Sequence, residues 1–220
     1  QSQIPLTFPV VDGKPVQTII YTAKWKALTS TININAGGGT IDSGYNPQID
    51  GATVSFNKDK TTAKLGGVTD LAIPTAAQAL PSISRPGYAF DAWYTTPDFQ
   101  PASKVNSIDA KFPVGEKTYY AHWIAEKSYI YFTTGNGSSI DTMEGYTGDP
   151  IADTKLPVSV REGYTNTEWN VVNSWNIDMS AYKNVLPDTF PAGTTTYVAN
   201  WKANPATITF DYQVPGTANK

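Results

Sequence analysis

The chain contains no cysteine, only two methionines and a single histidine in 220 residues. A cytosolic protein of this length usually carries a buried thiol or two. Complete absence suits a surface protein exposed to oxidants that builds without disulfides. Charge is also scarce: Asp, Glu, Lys and Arg make up 16% of residues, against the usual ~25%. The formal net charge is −3 and no basic cluster exists, so a phosphate backbone finds nothing to grip and nucleic acid is not expected as a partner. No run of 18 apolar residues occurs, so nothing here is expected to span a bilayer as a helix. The N-terminus lacks the charged-then-apolar pattern of a secretory leader; any leader is expected to lie outside these residues or to have been cleaved.

Thr, Asn, Ser and Gly fill the gap, with 12% aromatics, 17 glycines and 16 prolines. Neutral polar strand faces, Tyr/Trp-rich interiors and frequent turn residues predict many short strands. Apart from one short stretch, no apolar series at helical spacing is present.

The frame Tyr-x-Ala-x-Trp occurs three times, at Tyr21–Trp25, Tyr119–Trp123 and Tyr197–Trp201. Its large residues are two apart and so share one face of an extended strand. Other segments recur with it. Arg85-Pro86-Gly87-Tyr88 leads to Trp93, and Arg161-Glu162-Gly163-Tyr164 leads to Trp169. Six residues beyond each of these tryptophans stands an aromatic, Phe99 or Trp175. Phe112-Pro113-Val114-Gly115 matches Phe190-Pro191-Ala192-Gly193. At the front edges, Ile32-Asn33-Ile34-Asn35 and Ile130-Tyr131-Phe132-Thr133 each run into a glycine-rich turn, the second at Gly135-Asn136-Gly137. A further copy opens at Thr207-Ile208-Thr209-Phe210-Asp211.

The chain therefore reads as a tandem array. Residues 1–27 hold the closing strand of one unit. Residues 28–125 form a whole unit with an insertion at 45–84, and 126–203 form a diverged unit. Residues 204–220 begin another. Pro74 and the Ala-rich run after it predict one or two helical turns inside the insertion. Each unit predicts a small mixed sheet with at most one short helix. The joints at 125–128 and 202–205 are too short to be floppy, so the units are expected nearly end to end as a stiff, elongated rod.

These residues resemble the Listeria–Bacteroides repeat, the B-repeat type of internalin-like surface proteins. The hallmark Arg-Pro-Gly-Tyr-x-Phe-x-x-Trp-Tyr stands almost whole at 85–94, with Ala92 where glycine is usual. The copy at 161–170 departs, with Glu162, Asn166, Glu168 and Asn170 at hallmark positions. The resemblance implies a β-grasp-like fold in each unit, a mainly β (α+β) protein, and a secreted, wall-attached bacterial protein with a role in adhesion. It implies no enzyme activity and no catalytic residues.

Trp25, Trp93, Trp123, Trp169 and Trp201 are expected as buried anchors, one equivalent set per unit. Trp175 and Phe99, in an irregular loop, are the candidates for ligand contact. His122 takes the outward position held by Lys24 and Asn200 in the sister frames; a catalytic base would not interchange so freely, and a lone histidine makes no metal cage. Asp42, Asp141 and Asp91 are the carboxylates that could in principle pair for glycoside chemistry; Asp42 and Asp141 are register mates in different units, expected far apart, and both read as turn residues. No Asp-x-Asp-x-Asp run exists for calcium. No metal and no cofactor are expected. Leu186-Pro187-Asp188-Thr189 reads as internal sequence and Val214-Pro215-Gly216 as an early turn of the next unit, while Asn136-Gly137-Ser138 is a glycosylation sequon in form only.

The function expected is a non-catalytic stalk or spacer of a bacterial cell-surface adhesin. Its partners would be a host or neighbouring-cell surface protein or a glycan. Two rivals are an array of carbohydrate-binding modules and a fibre subunit whose end strands pair between molecules.

Overall fold

The computed structural model describes residues 10–15, 22–135 and 140–210. Val10-Val11 and Lys14-Pro15 flank Asp12-Gly13, whose backbone φ values are 50° and 76°, so the chain reverses tightly. The result is a two-stranded ribbon, β1 (Val10–Val11) with β2 (Lys14–Pro15).

The alternating frame around Ile32 and Ile34 builds β3 (Thr29–Asn35), with both isoleucines fully buried. The chain continues through β4 (Thr40–Ile41), β5 (Thr53–Phe56) and β6 (Thr62–Val68). One 3-10 turn, Thr75–Ala77, follows Pro74, where one or two helical turns are expected; a further one, Pro101–Ser103, exceeds the expected limit of one short helix. Then come β7 (Ile83–Ser84), β8 (Tyr88–Tyr94), β9 (Lys104–Val105) and β10 (Glu116–Ala125). Six of these strands form one sheet in the order β5-β6-β3-β10-β8-β9, and β4 pairs with β7 beside it.

Past Glu126, β11 (Lys127–Thr133), β12 (Met143–Tyr146), β13 (Tyr164–Asn173) and β14 (Thr194–Ala203) form a second sheet in the order β12-β11-β14-β13. The two sheets share one plan. The first and last strands lie parallel at the centre, β3 with β10 and β11 with β14. An antiparallel strand flanks each side, β6 and β8 in one, β12 and β13 in the other. β6 thus stands where β12 stands, although it falls inside the expected insertion of 45–84. The first sheet also carries the edge strand β5, for which the second sheet has no counterpart among the described residues.

Each sheet has its own core. One gathers Ile32, Ile34, Leu65, Trp93, Phe112 and Tyr119; the other gathers Ile130, Trp169, Leu186, Phe190, Tyr197 and Ala199. Burying one such side chain stabilises by roughly 1.5–3 kcal/mol. The same polar pins recur. Ser30 Oγ donates to the Pro113 carbonyl at 2.6 Å, and Ser128 Oγ donates to the Pro191 carbonyl. Trp123 Nε1 donates to the Ala36 carbonyl at 2.7 Å, and Trp201 Nε1 to that of Thr134 at 2.6 Å. Phe112 rests on Gly67 and Phe190 on Gly145, where a Cβ would stand only 2.9 Å or 2.6 Å from the ring.

The last pairing before each Tyr-x-Ala-x-Trp tryptophan slips by one residue. Ala92 opposes His122 but Phe90 opposes Trp123, leaving Asp91 as a β-bulge. Glu168 opposes Asn200 but Asn166 opposes Trp201, which leaves Thr167 in the matching place.

The ends depart from expectation. Tyr21 lies outside the described residues, and 22–28 form no strand. Trp25 is 90% exposed rather than a buried anchor. A closing strand such as β10 is held between two neighbours, and among the described residues none flanks 22–28. Residues 204–210 likewise form no strand, with Ile208 and Phe210 exposed; Asp211 and Val214-Pro215-Gly216 lie outside the described residues. So do Asn136, Gly137 and Ser138 of the sequon and its glycine turn.

Candidate functional site

Arg-x-Gly-Tyr forces a sharp reversal before β8. Gly87 takes φ +75°, a region closed to most side chains, and Tyr88 N donates to the Arg85 carbonyl at 3.1 Å. The Arg85 guanidinium lies over the Tyr88 ring, 3.7 Å from its centre, and donates to the Gly37 carbonyl at 3.0 Å. Glu126 N, in the joint between the sheets, donates to the Gly87 carbonyl at 2.8 Å. The turn is thereby fixed to its own unit and to the joint.

Its outer side docks on the second unit. The Tyr88 hydroxyl donates to the Thr147 carbonyl at 3.2 Å. A Cβ at Gly87 would meet Thr147 Oγ1 at 2.5 Å and Ala192 Cβ at 2.7 Å. Thr147 N in turn donates to the Glu126 carbonyl at 2.9 Å, so turn, joint and second unit form one hydrogen-bonded knot.

Beside this contact runs a groove of about 270 Å³ lined by Arg85, Pro86, Tyr88, Phe90, Trp123 and Trp175. Phe90 packs edge-on against Trp123, ring centres 5.6 Å apart, yet stays 42% exposed. Trp175, 52% exposed, closes the groove from the second unit, its indole wedged against Gly193. Four aromatic rings from two units with one guanidinium make a surface suited to stacking on flat or ring-shaped ligands.

Phe99 does not join it. Its backbone sits at φ +54°, and its ring packs on Tyr94 (5.5 Å) and His122 (4.5 Å) within the first unit. The shared six-residue spacing therefore does not make Phe99 and Trp175 equivalent: β8 ends at Tyr94, whereas β13 runs on to Asn173 and carries its loop further out. Trp93 and Trp169 are 5% exposed and lie in the two cores, while Trp123 and Trp201 are half-buried and pack against them.

A second cluster surrounds the bulge. Asp91 Oδ2 accepts from the Tyr94 hydroxyl at 2.7 Å and pairs with His122 Nδ1 at 3.0 Å, and Lys104 Nζ stands 3.3 Å from Oδ1. The bond to His122, then that to Tyr94, holds the Asp91 carboxyl down at about 2, and Asp91 pushes the Tyr94 hydroxyl up. His122 thus faces outward, as its register predicts, but it is tethered. Asp42 serves its own turn, accepting from Gly44 N at 2.6 Å. Among the described residues no group of three or more His, Cys, Asp or Glu is placed to hold a metal ion, and no described helix is long and apolar enough to cross a membrane.

Comparison with curated proteins and with solved structures gave no match. Residues 53–122, from β5 into β10, match the family model of the Listeria-Bacteroides repeat domain, a repeat that occurs in extracellular bacterial surface proteins.

Proposed function

We propose that this chain is a non-catalytic stalk segment of a bacterial cell-surface adhesin, built of tandem β-grasp-like repeats. On this reading 126–203 is a diverged copy of 28–125, and the protein is secreted and held at the cell surface or wall. The observation that carries it is the docked joint: the Gly87-Tyr88 turn is bonded to Thr147 and packed on Ala192 across a connection of one residue, Glu126. A repeat that needs only to project a binding surface requires such a stiff joint and no reactive group. Small-angle scattering tests it. An elongated, rigid particle supports the stalk, and a compact or freely hinged one defeats it.

A second reading rests on Trp175. An exposed indole beside Phe90, Trp123 and Tyr88 favours a glycan or a host surface protein as ligand in the joint groove. Tryptophan fluorescence against a broad glycan panel decides this. A shift lost in Trp175→Ala supports it, and an unmoved spectrum across the panel removes it.

A further inference from the structure

The joint groove offers rings for stacking but few groups to hold a ligand's hydroxyls. The Tyr88 hydroxyl and the Trp123 indole N–H in its wall already donate to the Thr147 and Ala36 carbonyls. Another part of its wall, Ile83 and Ser84, also bounds a second hollow of about 350 Å³. This hollow lies on the ribbon of β4 and β7. There Thr40 opposes Ser84, Ile41 opposes Ile83, and Asp42 N donates to the Ser82 carbonyl at 3.0 Å. Residues two apart on a strand share a face. Thr40 and Asp42 therefore line up with Ser84 and Ser82, all four exposed, while Ile41 is buried in the core. Asp42 Oδ1 accepts from Gly44 N, and among the described residues nothing donates to its Oδ2. Rings on one side of Ile83 and hydroxyls on the other meet the two demands of a sugar chain, which presents C–H faces and polar edges.

Two cations flank the shared wall. Arg85 follows Ser84 directly and lines the joint groove; Lys60 lines the hollow, where its carbonyl accepts from Ile41 N at 2.8 Å. Among the described residues neither pairs with a carboxylate. Arg85 gives one hydrogen bond, to the Gly37 carbonyl, and stacks on Tyr88 through the face of its guanidinium, so the other edge donors of its fork stay available. Asp42 balances one of the two cations, which leaves the trough positive in a chain whose net charge is −3.

We propose that groove and hollow are consecutive subsites for one oligosaccharide whose rings carry carboxylates, a ligand that rests on the reading of the joint groove as a glycan site. One ring stacks on the exposed faces of Trp175 and Phe90, and its carboxylate is received by the planar fork of Arg85. The chain then crosses Ile83 and Ser84. Its next ring lays hydroxyls on Thr40, Asp42 and Ser82, beside Lys60. Linked subsites bind a chain far more tightly than a single ring, because the second contact forms within the first complex. Exposed cations make that affinity fall as salt rises.

Isothermal titration calorimetry of the whole chain, with tryptophan fluorescence alongside, tests this. The probes are oligogalacturonates and hyaluronan fragments of increasing length, with uncharged chito-oligosaccharides of matching length. The expected result is an indole shift with an acidic series, affinity that rises several-fold with added rings, several-fold weaker binding of neutral chains, and weakening by salt. Lys60→Gln combined with Ser82→Ala, with folding checked by near-ultraviolet circular dichroism, should remove the gain with length and leave the indole shift. Lys202→Gln makes the same change of net charge at an exposed position of β14 and should leave affinity at the parent value. Affinity independent of length, equal for neutral chains, unmoved by the Lys60→Gln and Ser82→Ala pair, or weakened as much by Lys202→Gln would overturn the proposal while the glycan reading of the groove stands. No heat and no shift with any probe would overturn it as well, and the broad glycan panel then decides the wider reading on its own.

Discussion

The hydroxyl of Tyr88 in the first unit donates to the carbonyl of Thr147 in the second, across 3.2 Å. A single phenol thus spans the joint, and the glycine before it leaves the space that allows the approach.

Gly87→Ala and Gly163→Ala separate that space from backbone strain. Both positions are left-handed, so both variants carry the same ~1 kcal/mol penalty within their own turn. Only Gly87 has neighbours at 2.5–2.7 Å. Residual dipolar couplings should show Gly87→Ala freeing the two units from one orientation, with Gly163→Ala leaving them aligned.

Truncation of the tryptophans should divide them by burial. Trp93→Ala and Trp169→Ala are expected to destabilise by about 3–5 kcal/mol each. Trp25→Ala, at a side chain 90% exposed, should fall within about 0.5 kcal/mol of the parent. Urea unfolding measures all three, and a large loss at Trp25 would show that it is an anchor after all.

Asp91→Asn should make a difference that depends on pH. The folded carboxyl is held at about 2, below the ordinary value of 3.8. The stabilisation is therefore fully present above the ordinary value and fades as pH falls through the folded one. Parent and variant melting temperatures should differ at pH 7, converge below pH 4 and coincide only once the pH is well under 2. Equal melting temperatures at pH 7 would mean the His122 and Tyr94 contacts contribute nothing.

Ser128→Ala removes a fully buried hydroxyl that donates to the Pro191 carbonyl and stands 3.0 Å from that of Gly193. Leaving the Pro191 carbonyl unpaired, while Gly193 keeps its bond from Tyr129 N at 3.1 Å, should cost about 1–3 kcal/mol. The equivalent Ser30→Ala should cost a similar amount, and each should act on its own unit in hydrogen exchange.

The sequence revealed strands more readily than joints. Tyr119, Ala121 and Trp123 alternate at a spacing of two, and β10 buries that face; Pro74 announces its single turn. The bulge at Asp91 was hidden because an extra residue in one strand leaves no mark until the partner register is known. Phe99 and Trp175 share a spacing but lie on strands of different length, which spacing alone cannot convey. Trp25 carries the same motif as Trp123, yet burial depends on flanking strands, not on the motif. The docking of Gly87 on Ala192 was also beyond reach, because both residues read equally well as ordinary turn positions.

The parallel placement of β3 with β10, and of β11 with β14, bears on how such a chain would carry load. Each unit's entry and exit strands lie side by side and point the same way, so tension drawn through the polypeptide slides one along the other. All five paired positions in each couple, from Thr31 to Asn35 and from Tyr129 to Thr133, must then yield together instead of peeling in turn. A tether anchored at one end and gripped at the other would resist shear with its most deeply buried rungs.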